Sequence, residues 1–254
     1  MAETYRFALV GNPNVGKSSL FNALTGLHQH TGNWPGKTVA TAAGTCSIDA
    51  AAVELIDLPG TYSLSARSPE EEVAAEYISF GCADAVIVVC DATALERNLY
   101  LALQVMEITD HVVICVNLMD EAEKRGITAD LPRLSQMLGV RVVGTSARQK
   151  KTLPPLLRAA VAAAQERHRK PVPVRYGEAI EAGLFSIEAR LDELLPGSMP
   201  NHRWIAIQLL TGGDTAICAL EKKLPNPKLN DITITRAAIP VTNRLIEFVL
   251  RCFA

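Results

Sequence analysis

Short apolar runs alternate with longer amphipathic runs over the first two-thirds of the chain. Each apolar run is rich in β-branched residues and is apolar on both faces, which is typical of a central strand in a parallel sheet. These runs are Tyr5–Val10, Ala85–Cys90, Val112–Val116 and Val140–Gly144. Helical periodicity marks Ser18–Thr25, Leu95–Thr109, Asp130–Gly139 and Leu153–His168. This alternation predicts right-handed βαβ crossovers, and hence an α/β fold in which helices cover both faces of a mostly parallel six-stranded sheet.

Two less apolar runs lie in tandem at Thr38–Asp49 and Ala52–Asp57. They predict a hairpin that turns at Asp49-Ala50-Ala51 and carries the edge strand of the sheet. A further helix is predicted after Ser68-Pro69-Glu70-Glu71, because an N-cap serine, a proline and a glutamate stand there in the order of a capping box.

The strand–helix alternation stops at two prolines, Pro171 and Pro173. Beyond them, apolar positions recur at helical spacing only. The predicted helices are Gly177–Leu195, Asn201–Leu210, Thr215–Leu224 and a last one whose apolar face holds Val241, Leu245, Phe248, Val249 and Cys252. The sequence therefore predicts an α/β domain over residues 1–170 and a small all-helical domain over residues 171–254.

A phosphate-binding motif follows the first apolar run. Residues 11–18 fit G-x-x-x-x-G-K-[ST] between a predicted strand and a predicted helix, which is the context that this motif requires. Its glycines let several main-chain N–H groups face one anion, and the helix N-terminus adds partial positive charge. Lys17 is suited to the β- and γ-phosphates, and the Ser18 hydroxyl is suited to Mg²⁺. The candidate nucleotide-binding residues here are Gly11, Asn12, Pro13, Asn14, Val15, Gly16, Lys17, Ser18 and Ser19.

A second candidate element, D-x-x-G, closes a predicted strand about forty residues later. It consists of Asp57, Leu58, Pro59 and Gly60. Asp57 can hold Mg²⁺ through water, and the Gly60 N–H can bind a γ-phosphate.

Two further elements indicate which base is bound. Asn117, Leu118, Met119 and Asp120 resemble the N-K-x-D element of GTPases, with a leucine where lysine is usual. An aspartate there accepts hydrogen bonds from the N1–H and N2–H₂ of guanine, whereas adenine would leave the carboxylate unpaired. Ser146 and Ala147 follow the next strand, at the position whose main-chain N–H contacts guanine O6.

The polar, glycine-rich segment from His28 to Thr38 has the position of switch I. A switch I threonine completes the Mg²⁺ shell when the γ-phosphate is present. Thr38 is the candidate for this role, and Gly36 and Lys37 beside it are further candidate nucleotide contacts.

Composition narrows the choice of partner and compartment. The net charge of −2 disfavours a broad nucleic-acid-binding face. The six cysteines form no C-x-x-C pair, so a zinc site and a disulfide framework are not indicated and a reducing compartment fits. Because no uninterrupted apolar run approaches ~18 residues, we expect this chain as given to be soluble.

Taken together, these motifs resemble the cytosolic G domain of the ferrous iron transport protein B (FeoB) family. The most specific piece is Gly32-Asn33-Trp34-Pro35-Gly36, just before the candidate switch I threonine. Ser19-Leu20-Phe21-Asn22 and Thr61-Tyr62-Ser63-Leu64 extend the likeness around the first two motifs. The resemblance covers roughly residues 3–170 and implies a P-loop GTPase fold, with a helical domain that links the GTPase to a membrane part.

The resemblance also implies a catalytic scheme. GTPases of this kind are activated by K⁺, which the asparagine at the position of Asn14 helps to bind between the phosphates. Main-chain carbonyls of Gly32 and Trp34 would complete the K⁺ shell. A cation there would stabilise charge as an arginine finger does, so the implied catalytic residues are Lys17, Asn14 and Thr38. Thr61 stands where Ras-type enzymes have a glutamine, so slow intrinsic hydrolysis is expected.

The function implied is a GTP-driven switch that regulates or drives Fe²⁺ uptake on the cytoplasmic side of a bacterial inner membrane. GTP or GDP, Mg²⁺ and K⁺ are the expected ligands, and the membrane domain of the full-length protein is the expected partner. Small cytosolic regulators and self-association are left open, and no nucleic acid is expected. A ribosome-assembly or tRNA-modifying potassium-dependent GTPase is an alternative, as is a module that holds nucleotide without hydrolysis.

Overall fold

A seven-stranded sheet forms the centre of the protein. The computed structural model describes residues 3–26, 29–34, 38–64, 68–81, 83–166, 171–194 and 202–211. Within them the strands are β1 (Thr4–Gly11), β2 (Gln29–Asn33), β3 (Ala40–Ile48), β4 (Ala51–Asp57), β5 (Ala85–Asp91), β6 (Val112–Asn117) and β7 (Arg141–Gly144). The α-helices are α1 (Lys17–Thr25), α2 (Pro69–Phe80), α3 (Leu95–Ile108), α4 (Met119–Lys124), α5 (Leu131–Leu138), α6 (Leu153–Gln165), α7 (Glu178–Leu194) and α8 (His202–Thr211).

The strand order is β2-β3-β4-β1-β5-β6-β7, and it confirms the predicted mostly parallel sheet. Strands β4, β1, β5, β6 and β7 run parallel, while the hairpin strand β3 is antiparallel to β4. Because the chain turns to one side of β1 for β4 and to the other for β5, a topological switch point lies at the carboxyl end of β1. In open α/β sheets, ligands bind at such points.

The number of strands and the edge of the sheet differ from the prediction. The sheet has seven strands rather than six, and its edge strand is β2 rather than the hairpin strand β3. Strand β2 pairs antiparallel with β3, with Gly32 opposite Thr41. Its sequence, Gln-His-Thr-Gly-Asn, lacks the apolar alternation of a strand, and it lies in the segment that the sequence assigned to switch I.

Alternating side chains of the central strands build one core on each face of the sheet. In β1, Phe7 and Leu9 point to one face, where they pack with Phe21 of α1 and Leu156 of α6. Ala8 and the other alternate residues point to the opposite face, which α2, α3 and α5 cover. Full burial of an apolar side chain contributes about 1.5–3 kcal/mol, so these two cores fix the strand ends that carry the candidate motifs.

Two helices end at glycines, and a third begins at the predicted capping box. Gly26 after α1 and Gly139 after α5 adopt the left-handed conformation that terminates a helix. The Ser68 hydroxyl accepts the Glu71 N–H at 3.2 Å at the start of α2, as the capping box predicts. The short helix α4, directly after β6, was not predicted from the sequence.

Helices α7 and α8 pack on the α3 side of the sheet and share its core. The buried residues that they add are Ile180, Leu184, Ile187, Leu191, Trp204, Ile205, Ala206 and Leu209. The predicted helices at 215–224 and around 241–252 lie outside the described residues. In the described part of the chain, no helix combines the length and apolar character needed to cross a bilayer.

Candidate nucleotide-binding site

The phosphate-binding loop connects β1 to α1 through backbone that only certain residues adopt comfortably. Gly16 has φ +79° and Asn14 has φ +67°, both in the left-handed region. A Cβ on Gly11 would lie 2.6 Å from the Val89 carbonyl of β5, so only glycine fits where the loop leaves the sheet. Lys17 is buried, while Asn14 and Ser18 are exposed on the side where a ligand can reach them.

Lys17 and Asp57 meet at the carboxyl ends of β1 and β4. The Lys17 ammonium donates hydrogen bonds to the Asp57 carboxylate and to the Leu58 carbonyl. The side chains of Lys17 and Asp57 are only 9% and 12% exposed. Burial raises the pKa of Asp57, although the Lys17 charge and hydrogen bond lower it. The Lys17 ammonium is a group that can bind a phosphate, and the Asp57 carboxylate is a group that can bind a divalent cation.

The D-x-x-G turn lies directly against the phosphate-binding loop. The Thr61 N–H donates to the Gly11 carbonyl at 3.1 Å. A Cβ on Gly60 would lie 3.4 Å from Pro13 Cα, so the turn and the loop are in close contact. The buried Thr61 hydroxyl donates to the Ser63 carbonyl at 2.7 Å and is therefore engaged within the turn.

Asn117 joins the loop after β6, residues 117–120, to the phosphate-binding loop. We call residues 117–120 the base-side loop, because they carry predicted base contacts. It is the last residue of β6 and is fully buried, and its Nδ2 donates to the Val15 carbonyl at 3.0 Å. Leu118 then takes φ +61°, a left-handed conformation that is uncommon for leucine and that turns the chain sharply into α4. The Asp120 N–H donates to Ser146 Oγ at 3.1 Å, which brings two predicted base contacts together.

In the segment predicted to be switch I, the structure describes residues 29–34 and Thr38. Gly32 lies in β2, and the Trp34 N–H donates to the Val39 carbonyl at 2.8 Å. The Trp34 ring stands edge-on to Tyr77 of α2, with ring centroids 5.4 Å apart. Thr38 is exposed at a bend, while Gly36 and Lys37 lie outside the described residues.

The oxygen donors of the site are of the kind that bind Mg²⁺. No group of three or more His, Cys, Asp or Glu side chains that could hold a metal occurs among the residues the structure describes. The Ser18 hydroxyl and the Asp57 carboxylate are oxygen donors, and Mg²⁺ is usually held by one or two such groups together with substrate phosphates. The assignments of Ser18, Thr38 and Asp57 to Mg²⁺, and of Asn14, Gly32 and Trp34 to K⁺, stay predictions.

Sequence reasoning missed two residues at this site, Cys115 and Thr145. Both are fully buried beneath the base-side loop, where Thr145 contacts Asn117. A polar residue directly after the apolar run of β7 was the available signal for Thr145. The thiol of Cys115 gave none, because a cysteine inside an apolar strand is usually a small buried hydrophobe.

Comparison with known proteins agrees with this geometry. The family profile described as Ferrous iron transport protein B matches residues 5–160. A curated relative from Porphyromonas gingivalis, an Fe(2+) transport protein A/Fe(2+) transporter FeoB fusion protein, is 43% identical over 212 residues. That match covers 82% of the chain and 25% of the relative, so the chain spans about a quarter of the length of this relative.

Solved structures match over nearly the whole chain. The cytosolic domain of the T. maritima FeoB iron transporter in a GDP form is similar with a TM-score of 0.85 and 34% identity, covering 99% of this chain and 97% of that one. Its GMPPNP form gives a TM-score of 0.85 and 35% identity, covering 98% and 97%. The fold is therefore that of a P-loop GTPase domain, and the profile match extends over more than half of the chain. The chain belongs to the ferrous iron transport protein B family.

Proposed function

We propose that this chain binds guanine nucleotides and hydrolyses GTP to GDP and phosphate. The observation that carries the proposal is the position of Asn117, which bonds to the phosphate-binding loop and stands three residues before Asp120. Phosphate-binding and base-reading elements are thereby held as one unit at the carboxyl edge of the sheet. The GDP and GMPPNP forms of the T. maritima domain support the same ligand class.

The charges of the site suit phosphoryl transfer. The main-chain N–H groups of the loop and the Lys17 ammonium would bind the phosphates, with Lys17 exchanging Asp57 for phosphate oxygens. Ser18, Asp57 and Thr38 would hold Mg²⁺, which neutralises charge on the β- and γ-phosphate oxygens when bound. The protein's contribution to the reaction is then positioning and electrostatic stabilisation.

Intrinsic hydrolysis is proposed to be slow. The residue after D-x-x-G is Thr61, whose hydroxyl is already used by the Ser63 carbonyl. Tyr62 next to it is half exposed, and Arg97 lies over its ring at 5.7 Å from the centroid. Neither side chain is placed as a glutamine that orients water, so a slow rate without added stimulation is expected.

K⁺ is proposed to supply the missing positive charge through Asn14. The exposed Asn14 side chain stands on left-handed backbone beside the phosphate positions. Asn14→Ala should abolish the stimulation by K⁺ and leave GDP affinity within about twofold, because the amide serves the cation rather than the phosphates. Phosphate release measured in K⁺ and in Na⁺ tests this, and equal rates in both salts for the unchanged protein would contradict it.

The variant Asp120→Asn tests the specificity for guanine, because it replaces a carboxylate oxygen, which accepts hydrogen bonds, with an amide group that donates them. Loss of two charge-assisted hydrogen bonds should weaken GDP binding at least ~100-fold in Asp120→Asn. Xanthine carries a carbonyl where guanine has N2–H₂, so the asparagine variant should gain affinity for XDP. Calorimetry with GDP, XDP and ADP measures all three. An unchanged protein that ignores GDP or binds ADP equally well would refute the proposed function.

On the larger scale, we propose that the chain is the cytosolic part of a ferrous iron transporter and that GTP binding controls Fe²⁺ uptake there. Residues 1–170 would be the GTPase domain, and residues 171–254 would link it to the membrane domain. Fe²⁺ uptake by cells whose full-length protein carries Lys17→Ala tests this role. Uptake at the unchanged rate would contradict it.

A further inference from the structure

An aromatic contact attaches the segment predicted to be switch I to helix α2. The Trp34 ring stands edge-on to the Tyr77 ring, with the centroids 5.4 Å apart and the planes at 84°. These values are typical of a favourable edge-to-face pair, in which the positive edge of one ring meets the negative face of the other. Trp34 is half-buried, whereas residues 30–33 before it are exposed. The ring of Trp34 is therefore the part of this segment that is fixed by packing.

The main chain of Trp34 closes the loop that contains Thr38. The Trp34 N–H donates to the Val39 carbonyl at 2.8 Å, so the two ends of the loop of residues 34–39 are hydrogen-bonded to each other. Val39 is buried, and the exposed Thr38 directly precedes it. A displacement of Trp34 would break this hydrogen bond and release the loop that carries Thr38.

Tyr77 is a firm support for this contact, because its end of α2 is held from several sides. Tyr77 packs against the core on the α2 and α3 face of the sheet, and its carbonyl accepts the Gly81 N–H at 2.7 Å where the helix ends. Three residues further along, the Phe80 ring pairs with the Trp204 ring of α8, with centroids 6.3 Å apart. The contact between Tyr77 and Trp34 therefore orders the exposed loop rather than the helix.

We propose that Tyr77 is a positioning residue for GTP hydrolysis, which holds the Trp34 ring so that the loop of residues 34–39 presents Thr38 to the nucleotide. The inference rests on the proposed function, because Thr38 is assigned to Mg²⁺ there. A switch I threonine engages Mg²⁺ only when the γ-phosphate is present. The contact should therefore matter for GTP and not for GDP, whose phosphates and base meet the phosphate-binding loop and the base-side loop.

The first test compares rates of GTP hydrolysis with affinities for GDP. At saturating GTP in K⁺, Tyr77→Ala should release phosphate about three- to tenfold more slowly, the value of a lost edge-to-face pair. Tyr77→Phe keeps the ring and should stay within about twofold of the unchanged rate. Calorimetry should show GDP affinity within about twofold in both variants, because neither changes the loops that bind GDP.

Phe80→Ala is the matched control for a general effect on α2. It removes a ring from the same end of the helix, but one that pairs with Trp204 instead of Trp34. The melting temperature should therefore fall, while the rate of GTP hydrolysis by the folded protein should stay within about twofold of the unchanged rate.

A second readout needs no nucleotide. The sequence contains two tryptophans, Trp34 and Trp204, so Trp204→Phe leaves Trp34 as the single tryptophan. In this background, Tyr77→Ala should shift the Trp34 emission to longer wavelength and increase its quenching by acrylamide, because the indole loses the ring that covers it. Emission and quenching that do not change would show that Tyr77 does not hold Trp34, and would overturn the proposal.

The contact can also be broken from the other side. Trp34→Ala removes the indole and keeps the main-chain N–H and carbonyl, so it tests the contact even if Tyr77→Ala does not fold. It should slow hydrolysis about three- to tenfold, and adding Tyr77→Ala to it should slow hydrolysis less than about twofold further. Full and independent losses in the double variant would contradict a shared contact.

The outcomes separate the two proposals. If the unchanged protein binds no GDP or does not hydrolyse GTP, the proposed function fails and takes the positioning role with it. If the unchanged protein hydrolyses GTP, and folded Tyr77→Ala does so within twofold, the positioning role alone is overturned. Equal losses in Tyr77→Ala and Phe80→Ala would also overturn it, because loosening of α2 would then explain both.

Discussion

Gly16 shows how little room the phosphate-binding loop leaves for a side chain. Gly16 has left-handed backbone dihedral angles, and the Asn117 carboxamide occupies the space that a Cβ on Gly16 would need. Any larger residue must therefore displace the group that holds the Val15 carbonyl. The P-loop glycine is required here by a contact across the site as well as by its own dihedral angles.

Gly16→Ala should lose nucleotide binding by ~100-fold or more, because the added methyl group meets Asn117 Nδ2 at 2.6 Å and the backbone becomes strained. Gly126→Ala is the matched control. Gly126 also has positive φ, but nothing lies within 4 Å of its Cβ position, so only about 1 kcal/mol of stability should be lost there. GDP titration and thermal unfolding of both variants measure the difference, and equal GDP affinities would contradict the contact.

At the residue scale, sequence reasoning locates a side chain where its position depends on local order along the chain. Lys17, Ser18 and Asp57 could be placed at the edge of the sheet because each follows a recognisable strand at a fixed position in a motif. The contact of Thr145 could not be predicted, because its partner Asn117 stands 28 positions earlier in the sequence. No periodicity or spacing shows which hydroxyl meets which amide across two strand ends.

The strands, too, differ in how well the sequence predicts them. Strands β1, β5 and β6 are continuous apolar runs: the predicted bounds of β1 differ from the structure by one residue at each end, and those of β5 and β6 by one residue at the carboxyl end only. Strand β2 was missed because its sequence lacks apolar alternation and residues 30–33 are exposed, so its pairing depends on the free edge of β3 rather than on its own propensity. Tertiary context, which no local window contains, decides such a strand.

Helix α2 offers a prediction at the element scale, because its N-terminus depends on one hydroxyl. Ser68→Ala removes the acceptor of the Glu71 N–H and should destabilise the protein by about 1 kcal/mol. For a chain of this size that corresponds to a melting temperature about 2–4 °C lower. Ser68→Asn restores a capping oxygen and should melt within about 1 °C of the unchanged protein. If alanine and asparagine lower the melting temperature equally, the cap does not stabilise α2.

At the scale of the whole molecule, a charged cluster joins α8 to α3 and α7. Arg203 of α8 donates to Glu107 of α3 at 3.2 Å and to Glu181 of α7 at 2.9 Å, and Glu188 lies 3.8 Å away. Arg203 also lies over the Tyr176 ring. One guanidinium therefore serves three carboxylates, and Glu107 is the most buried of them.

Burial raises the pKa of Glu107 from 4.5 to about 7, against the opposing effect of Arg203. A carboxyl whose pKa is raised by folding stabilises the folded state fully below its unfolded pKa, and this contribution is lost as the pH rises toward 7. Glu181 has the opposite shift: its own burial raises its pKa, but hydrogen bonds and the Arg203 charge lower it overall. Because the two shifts oppose each other, the effect of Glu107 on the pH dependence of the free energy of unfolding is obtained by comparing variants.

Glu107→Gln should remove the part of the stability loss between pH 5 and pH 8 that ionisation of Glu107 causes, which is at most about 3 kcal/mol. Denaturant unfolding at both pH values, with the exposed Glu123→Gln as control, measures this. If Glu107→Gln and the control lose equal stability over this range, Glu107 does not titrate there.

Within a single turn, helix α3 is hydrogen-bonded both to the chain just after the D-x-x-G turn and to α8. The Leu64 N–H, just after the D-x-x-G turn, donates to Gln104 Oε1 at 2.7 Å, and Glu107 three positions later holds Arg203. Residues three apart lie on the same face of a helix. The D-x-x-G turn and α8 are therefore hydrogen-bonded to the same turn of one helix, so a displacement of α3 at Gln104 would also displace the Glu107 carboxylate that binds Arg203.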